Sequence, residues 1–217
     1  MSLTQTHHVF ASVTEGGINT ILKALFTARP HLLIYGSNAF VPTSTVDATN
    51  MDPIPFPGVP GGIQWAVAFT IPVVDLYPDS SGGTSPLPPG PNQLNIHTTA
   101  RILLGCATWG SKGDRGNGGQ LQPVLTTLDA WALGTIQSQY YGPGTGNISF
   151  EVIQVKLPGI MPESLELVLE CLIRMLLSAV LEQVSIPFNT LSAGAFQLIL
   201  EQGPEIDDNQ VKVWGDI

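Results

Sequence analysis

The chain has 217 residues, which is enough for one large domain or two small ones. Charged residues make up 12% of it and apolar residues 43%, and this composition excludes an intrinsically disordered protein. Eight Lys and Arg residues against 17 Asp and Glu residues give a net charge of −9. That charge disfavours phosphate groups as partners, so we expect no binding to nucleic acid.

The N-terminus does not resemble a secretory signal, because residues 1–10 contain no Lys or Arg and no apolar stretch. We therefore expect synthesis in the cytoplasm, with a non-classical route for any later export. Cys106 and Cys171 both lie in apolar surroundings, outside any CxxC motif and away from histidine. We interpret them as buried free thiols and expect neither a disulfide nor a zinc site.

The first elements are predicted from a capping pattern and from helical spacing. A capping box that begins at Ser12 precedes apolar residues at i, i+3, i+4 and i+7, and this predicts a one-faced amphipathic helix over residues 13–28. The Arg29-Pro30 pair ends that helix, because the residue before a proline is pushed out of the helical region. Residues 31–41 are then predicted to form a strand.

Two long segments rich in proline and glycine flank the clearest strand. Residues 42–62 contain five prolines and are predicted to be an irregular connection. Residues 63–73 alternate between large apolar side chains and small or polar ones, which is typical of a strand. Residues 78–92 are rich in Pro, Gly and Ser and are predicted to form a second loop.

The rest of the chain is predicted to be a meander, a helix and two more strands. The helix covers residues 162–184, and its charges interrupt it well before the roughly 20 apolar residues of a bilayer span, so we expect no transmembrane segment. This order lacks strict alternation of strand and helix, which favours an α+β fold. The predicted strands are 93–109, 120–139, 148–157, 193–201 and 206–217. Gly203-Pro204 joins the last two, and Asp207-Asp208-Asn209 is predicted to form a tight turn.

Several segments resemble the tubular lipid-binding superfamily, which includes the bactericidal/permeability-increasing-protein type and the accessory proteins of clostridial neurotoxin clusters. They are Leu157-Pro158-Gly159-Ile160-Met161-Pro162-Glu163-Ser164-Leu165, the apolar helix after it, the exit Ile186-Pro187-Phe188 and residues 203–213. The resemblance implies a single domain over residues 1–217. It also implies a long twisted antiparallel sheet that wraps around one or two long helices and encloses an apolar tunnel.

The helix over residues 162–184 is apolar around most of its circumference. A second apolar face, beyond the one needed to cover a sheet, is what a tunnel lining requires. Packing between two layers of core explains the same pattern, and both interpretations stay open. The candidate ligand-binding residues are Trp65, Phe69, Leu165, Leu169, Leu172 and Leu176, and Trp131 and Phe150 are further candidates for the wall.

No pattern indicates catalysis, a cofactor or a metal. The sequence contains no GxSxG or HExxH motif, and the acids at 205, 207 and 208 lack the spacing of an EF-hand. His97, Thr98, Thr99 and Asp129 are better explained as ordinary polar strand positions than as a nucleophilic site. We therefore expect a protein that is not an enzyme and has no cofactor.

The first functional hypothesis is the binding of a lipid or fatty acid in an internal apolar tunnel. At about 25 cal/mol per Å², an acyl chain that loses a few hundred Å² of exposed surface gains several kcal/mol, which suffices for micromolar binding. The alternative is a structural or interaction subunit of a larger bacterial or phage-like assembly or toxin complex. In that case residues 42–62 and 78–92 would be docking elements, with apolar side chains exposed in them.

Overall fold

The computed structural model describes residues 8–76, 85–107, 121–142, 145–161, 163–187 and 199–216, and the fold of these residues is α+β. The helices are α1 (Glu15–Ala28) and α2 (Glu163–Glu182), with a 3-10 turn at Pro30–Leu33. The strands are β1 (Val9–Thr14), β2 (Ile34–Ser37), β3 (Thr49–Met51), β4 (Ile54–Phe56), β5 (Val59–Phe69), β6 (Val73–Asp75), β7 (Gln93–Ala107), β8 (Leu121–Gly142), β9 (Thr145–Lys156), β10 (Ile186–Pro187), β11 (Ile199–Asp207) and β12 (Gln210–Asp216).

The strands belong to two sheets. A three-stranded antiparallel sheet has the order β1-β12-β11, and the other nine strands follow the order β10-β9-β8-β7-β5-β2-β3, with β4 on β5 and β6 on β7. The pair β2–β3 is parallel, whereas β5–β7 and β8–β9 are antiparallel over long stretches. The predicted α+β class and the predicted antiparallel sheet are therefore confirmed.

The described residues form two compact units that alternate along the chain. The first unit takes its described residues from Met1–Leu22, Val73–His97 and Ala130–Ile217, and the second from Lys23–Pro72 and Thr98–Asp129. A single domain over residues 1–217 stays a prediction. Neither helix in the described part of the chain has both the length and the apolar character needed to cross a membrane.

In the second unit, the core forms around β5. Trp65, Val67 and Phe69 alternate along the strand and are all buried, as the sequence pattern predicted. The Ser37 hydroxyl accepts a hydrogen bond from the Trp65 backbone N–H at 3.0 Å, and its oxygen lies 3.2 Å from the Trp65 carbonyl, to which it donates. A side chain at Gly36 would come within 2.8 Å of Ala66 Cβ, so β2 and β5 approach this closely only because residue 36 is glycine.

In the first unit, polar side chains attach each helix to a strand. Asn19 of α1 bonds the backbone of β6, since its amide nitrogen donates to the Val74 carbonyl and its amide oxygen accepts from the Val74 N–H, both at 2.8 Å. At the end of β9, the Lys156 ammonium lies 2.7 Å from a Glu166 oxygen and 3.3 Å from a Glu170 oxygen of α2. These contacts fix where the two helices lie on their strands.

The N-terminal elements differ from the prediction. The helix begins at Glu15 rather than at residue 13, because the Thr14 hydroxyl, not that of Ser12, caps it by accepting the Gly17 N–H at 3.2 Å. Ser12 lies instead in β1, opposite Lys212 of β12. The predicted strand 31–41 is also shorter, because a 3-10 turn occupies Pro30–Leu33 before β2.

The loops and the C-terminal hairpin differ as well. The connection 42–62 is not wholly irregular, since it contains β3, β4 and the start of β5. The predicted tight turn at residues 207–209 is confirmed, because Asp208 and Asn209 both adopt the left-handed conformation of a hairpin turn, with φ of 51° and 55°. The predicted break at Gly203-Pro204 is wrong, since β11 continues through these two residues to Asp207. Residues 77–84, 108–120 and 188–198, which carry parts of other predictions, lie outside the described residues.

The prediction of a buried thiol is wrong for Cys171. This cysteine is free, as predicted, but its side chain is exposed on α2. The apolar residues next to Cys171 in the sequence point to other sides of the helix. Their apolar character therefore does not indicate whether Cys171 itself is buried. The side chain of Cys106 lies outside the described set.

Candidate functional site

The structure distributes the six predicted ligand-binding residues over three places. Trp65 and Phe69 are buried in the second unit, where the Trp65 indole N–H donates to the Asp52 carbonyl at 3.1 Å. The four leucines lie on α2 in the first unit, but on two faces. Leu169 and Leu176 are 7% and 2% exposed, whereas Leu165 is 42% exposed and Leu172 is half-buried beside it. Their role in a tunnel stays a prediction.

A small apolar pocket lies in the first unit. Helix α1 contributes Ile18, Ile21 and Leu22 to its wall, and β8 and β9 contribute Ile136, Ile148 and Phe150. Val13, Val184 and Val211 complete the wall, so every lining residue is apolar. The pocket holds about 50 Å³, against roughly 300–1,000 Å³ for a typical small-molecule site. It has room for a short alkyl group rather than for a whole acyl chain.

A larger, polar groove borders the same strands in the first unit. It holds about 570 Å³ and runs between β8, β9 and the C-terminal half of α2. Phe150 lines both the groove and the apolar pocket. The pocket side chains Ile148 and Phe150 alternate along β9 with the groove side chains Ser149 and Glu151, so the two spaces lie on opposite faces of the β8–β9 pair. The groups that α2 and its exit present are Arg174, Ser178, Glu182 and Ser185, and those from the strands include Gln137, Gln139, Asn147, Ser149 and Glu151.

The groove is rich in hydrogen-bonding groups and nearly balanced in charge. Its lining includes one cation, Arg174, and two carboxylates, Glu151 and Glu182. Glu151 accepts a hydrogen bond from the Gln137 amide, which fixes both side chains across the β8–β9 pair. Serine, glutamine and asparagine both donate and accept hydrogen bonds, so this lining suits an uncharged ligand with several hydroxyl groups or one anionic group beside Arg174.

The polar strand positions weighed as a nucleophilic site have ordinary structural contacts. The Thr98 hydroxyl donates to the Thr70 carbonyl at 2.8 Å, and the Thr99 hydroxyl donates to Asp129 at 3.3 Å, both within the second unit. His97 belongs to the first unit, where its ring stacks on Trp131 with centroids 4.2 Å apart. The two threonine hydroxyls and the His97 ring therefore have contacts that are ordinary in strands.

The acids of the last hairpin bind a lysine. The Lys212 ammonium lies 2.6 Å from Asp207 and 3.3 Å from Asp208. Because Lys212 donates this hydrogen bond, the pKa of Asp207 is held below its usual 3.8, and the same bond raises the pKa of Lys212. Among the residues that the structure describes, no group of three or more His, Cys, Asp or Glu side chains is arranged to hold a metal ion.

One buried amide in β7 has no hydrogen-bond partner within the described part of the chain. Asn95 is 1% exposed, and neither its amide nitrogen nor its amide oxygen is paired there. A buried, unpaired amide costs about 1–3 kcal/mol relative to a paired one. Its neighbours Leu94 and Ile96 are fully buried, so the polar side chain interrupts an apolar stretch of β7.

Sequence reasoning anticipated Phe150 but missed the rest of both sites. Ile21 belongs to the predicted apolar stripe of α1, and Ile148 alternates with Phe150 along β9, so each was readable as a core residue. Val211 reaches the same pocket from β12, at the opposite end of the chain from Val13. No local sequence pattern predicts that these two residues lie close together. The groove residues are ordinary polar strand and helix positions, which carry no motif.

Comparison with known proteins adds no name to these sites. No protein-family model matches the sequence, and no curated protein matches it either.

Proposed function

We propose that the first unit binds an amphiphilic molecule, a fatty acid or other lipid, without catalysing a reaction. The observation that supports this proposal is the all-apolar pocket, in which the rim residue Ile21 is 45% exposed. An amphiphile has an alkyl chain and a polar head. The chain end would enter the pocket, and the head would stay at the rim beside Ile21.

The size of the pocket sets the expected contribution of the alkyl chain to binding. A pocket of about 50 Å³ takes the last few carbons of a chain. At about 0.8 kcal/mol per buried CH₂, these carbons contribute roughly 2–3 kcal/mol, or about two orders of magnitude in affinity. A tunnel enclosed by the sheet around the helices is the fuller form of this proposal.

Filling the pocket from its rim tests the proposal. Ile21 lines the pocket and is 45% exposed, so Ile21→Trp can place an indole in the opening without disturbing the core. Ile54→Trp is the matched control, because Ile54 is 38% exposed on β4 in the second unit. We expect uptake of a fluorescent fatty acid to weaken at least about tenfold in the first variant and to be unchanged in the second. Equal uptake by both variants, or none by the parent protein, would contradict the proposal.

A second candidate function is supported by a different surface. In the second unit, the segment 42–62 exposes three large apolar side chains, Val46 at 87%, Phe56 at 55% and Ile54 at 38%. Exposed apolar side chains in this segment are what the assembly-subunit hypothesis predicts. We propose this segment as the docking element if the chain is part of a larger complex. In that case a complex isolated from the source cells would show a stoichiometric partner by native mass spectrometry, and Phe56→Ser would lose it.

A further inference from the structure

The polar groove of the first unit lies on the opposite face of the β8–β9 pair from the apolar pocket. Two cross-strand pairs build its strand wall, in which Gln137 lies opposite Ser149 and Gln139 lies opposite Asn147. Residues that face each other across an antiparallel pair have their side chains on the same face. The groove therefore has two rows of amide and hydroxyl groups on one surface, and these rows are not part of the amphiphile site.

Helix α2 supplies the facing wall with a stripe of polar side chains. Arg174, Ser178 and Glu182 are spaced four residues apart, so they lie on one side of the helix, and Ser185 follows at its exit. The three helical positions span about 12 Å, at 1.5 Å per residue. The groove holds about 570 Å³, within the roughly 300–1,000 Å³ of a small-molecule site. Its length and volume suit a ligand larger than one six-membered ring.

Arg174 is available to a ligand, because the acid one turn before it binds elsewhere. An acid and an arginine four residues apart on a helix commonly pair. Here that acid, Glu170, lies 3.3 Å from the Lys156 ammonium and accepts a hydrogen bond from the Leu157 N–H at 3.1 Å. The exposed Arg174 lines the groove instead, and its guanidinium group carries five N–H donors in a planar fork.

An exposed aromatic ring stands beside the groove near the end of β8. Tyr141 is 67% exposed, and its hydroxyl donates a hydrogen bond at 3.0 Å to the amide oxygen of Gln139. This bond holds the ring next to a residue that lines the groove. The face of an aromatic ring is electron-rich and attracts groups with a positive edge. The C–H groups of a sugar ring are polarised in this sense by the neighbouring oxygen atoms, so such a ring can stack on Tyr141 while its hydroxyl groups enter the groove.

The charge and the lining of the groove argue against other classes of ligand. One cation and two carboxylates give its lining a net charge of −1, in a chain of net charge −9, and this field repels phosphates and other anions. A peptide needs apolar subsites for some of its side chains. The apolar residues in the described lining, Phe150 and Val152, are 7% and 3% exposed, so they offer little contact to a peptide.

We propose that the groove binds a neutral carbohydrate of more than one ring, with Tyr141 as the stacking platform. A sugar hydroxyl both donates and accepts hydrogen bonds, and the groove offers partners for both roles. Arg174 only donates, Glu151 and Glu182 only accept, and the serines and amides of the lining do both. Hydrogen bonds to charged groups are stronger than those between neutral groups, so Arg174 contributes most among the donors.

Titration of the isotope-labelled protein with soluble sugars, followed by NMR, tests the proposal. The probes are neutral trisaccharides of glucose, mannose, galactose and N-acetylglucosamine, with triserine as a hydroxyl-rich peptide and inorganic phosphate as an anion. We expect at least one trisaccharide to give saturable shifts in the amide signals of β8, β9 and the C-terminal half of α2. Triserine and phosphate should give none. Saturable shifts with none of the sugars, or equal binding of triserine or phosphate, would overturn the proposal.

Two substitutions with matched controls locate the site. Arg174→Gln should weaken sugar binding at least about tenfold, because it removes the charged donor. Its control is Arg101→Gln, since Arg101 is exposed on β7 in the second unit. Tyr141→Ala should weaken binding about threefold to tenfold by removing the stacking ring, and its control is Phe56→Ala, because Phe56 is 55% exposed in the second unit. Equal effects of each variant and its control would overturn the assignment of the groove.

The variant Ile21→Trp distinguishes sugar binding from amphiphile binding. Ile21 lines the pocket on the other face of the β8–β9 pair, so this variant should weaken the uptake of fatty acid and leave sugar binding unchanged. Arg174→Gln should do the reverse. A loss of both ligands in both variants, with the fold intact by circular dichroism, would show that the groove is not a separate site and would overturn the inference.

Discussion

The two apolar faces of α2 have similar composition and different surroundings. Leu169, Ile173 and Leu176 are buried on the side of the helix that packs on β9. Leu165 and Val168 are exposed on a neighbouring side of the same helix. Leucine occurs on both faces, so residue type does not distinguish the buried stripe from the exposed one. Position in the fold determines which role each side chain has, and the following substitutions test that comparison.

The largest difference is expected between two identical leucine substitutions on α2. Leu176 is 2% exposed, so Leu176→Ala removes buried carbon and leaves a cavity, at a cost of about 2–5 kcal/mol in the free energy of unfolding. Leu165 is 42% exposed, and Leu165→Ala should cost less than about 1 kcal/mol. Urea unfolding measures both. Similar losses would show that the two faces of α2 are equally buried.

A smaller effect is expected at Asn19, which attaches α1 to β6. Asn19→Ala leaves the Val74 N–H and carbonyl without their partner, and we expect a loss of about 1–3 kcal/mol. The control is the neighbouring Thr20→Ala, because the Thr20 hydroxyl only bonds the Gly16 carbonyl of its own helix, at 2.7 Å on the exposed side. Thermal unfolding of the two variants should differ in that direction. A loss as large at Thr20 would contradict the anchoring role of Asn19.

Asn95 extends the comparison to an amide that has no described partner. Since its buried nitrogen and oxygen are unpaired in the described residues, Asn95→Leu should be neutral or should stabilise the protein by up to about 1 kcal/mol. The same chemical unfolding measurement gives the sign. A loss of more than about 1 kcal/mol would mean that the amide makes a stabilising bond in solution.

The smallest effect is a pH dependence from the β11–β12 hairpin. Lys212 lowers the pKa of Asp207 below 3.8, so the contribution of this pair is present above that pH and is lost as the pH falls through the lowered pKa. The raised pKa of Lys212 removes the contribution only at alkaline pH, above 10.5. We expect Asp207→Asn to reduce the acid dependence of the melting temperature slightly. An unchanged acid limb between parent and variant would show that the pair does not contribute, as is common for exposed pairs.

The elements that were predicted well are those in which local periodicity and packing agree. The apolar spacing of 162–184 predicted α2, and the alternation of 63–73 predicted most of β5. In each segment the apolar residues repeat with the period of the helix or strand that they form, because they face the core. The sequence could not show that β1 pairs with β12, since Val13 lies opposite Val211 at the other end of the chain. The helix cap was predicted at Ser12, two residues before the observed cap at Thr14, because both serine and threonine are favoured as capping residues.

The candidate site was less predictable than the fold. The sequence showed that α2 has more apolar surface than one sheet requires, but not which of its leucines stay exposed. The pocket brings together α1, β8, β9 and β12, and the groove beside it is built from common polar residues without a motif. Both depend on contacts between distant segments. A single sequence does not encode such contacts in a readable pattern, and this is why Ile21, Ile148 and Arg174 were missed.

The most direct test of amphiphile binding is native mass spectrometry of the purified protein, followed by organic extraction of whatever it carries. We predict a lipid or fatty acid bound at one molecule per chain, retained in the folded protein and released on denaturation. Ile21→Trp should carry less of it, and Ile54→Trp the same amount as the parent. A well-folded protein that carries no lipid and takes up no added fatty acid would contradict the central claim.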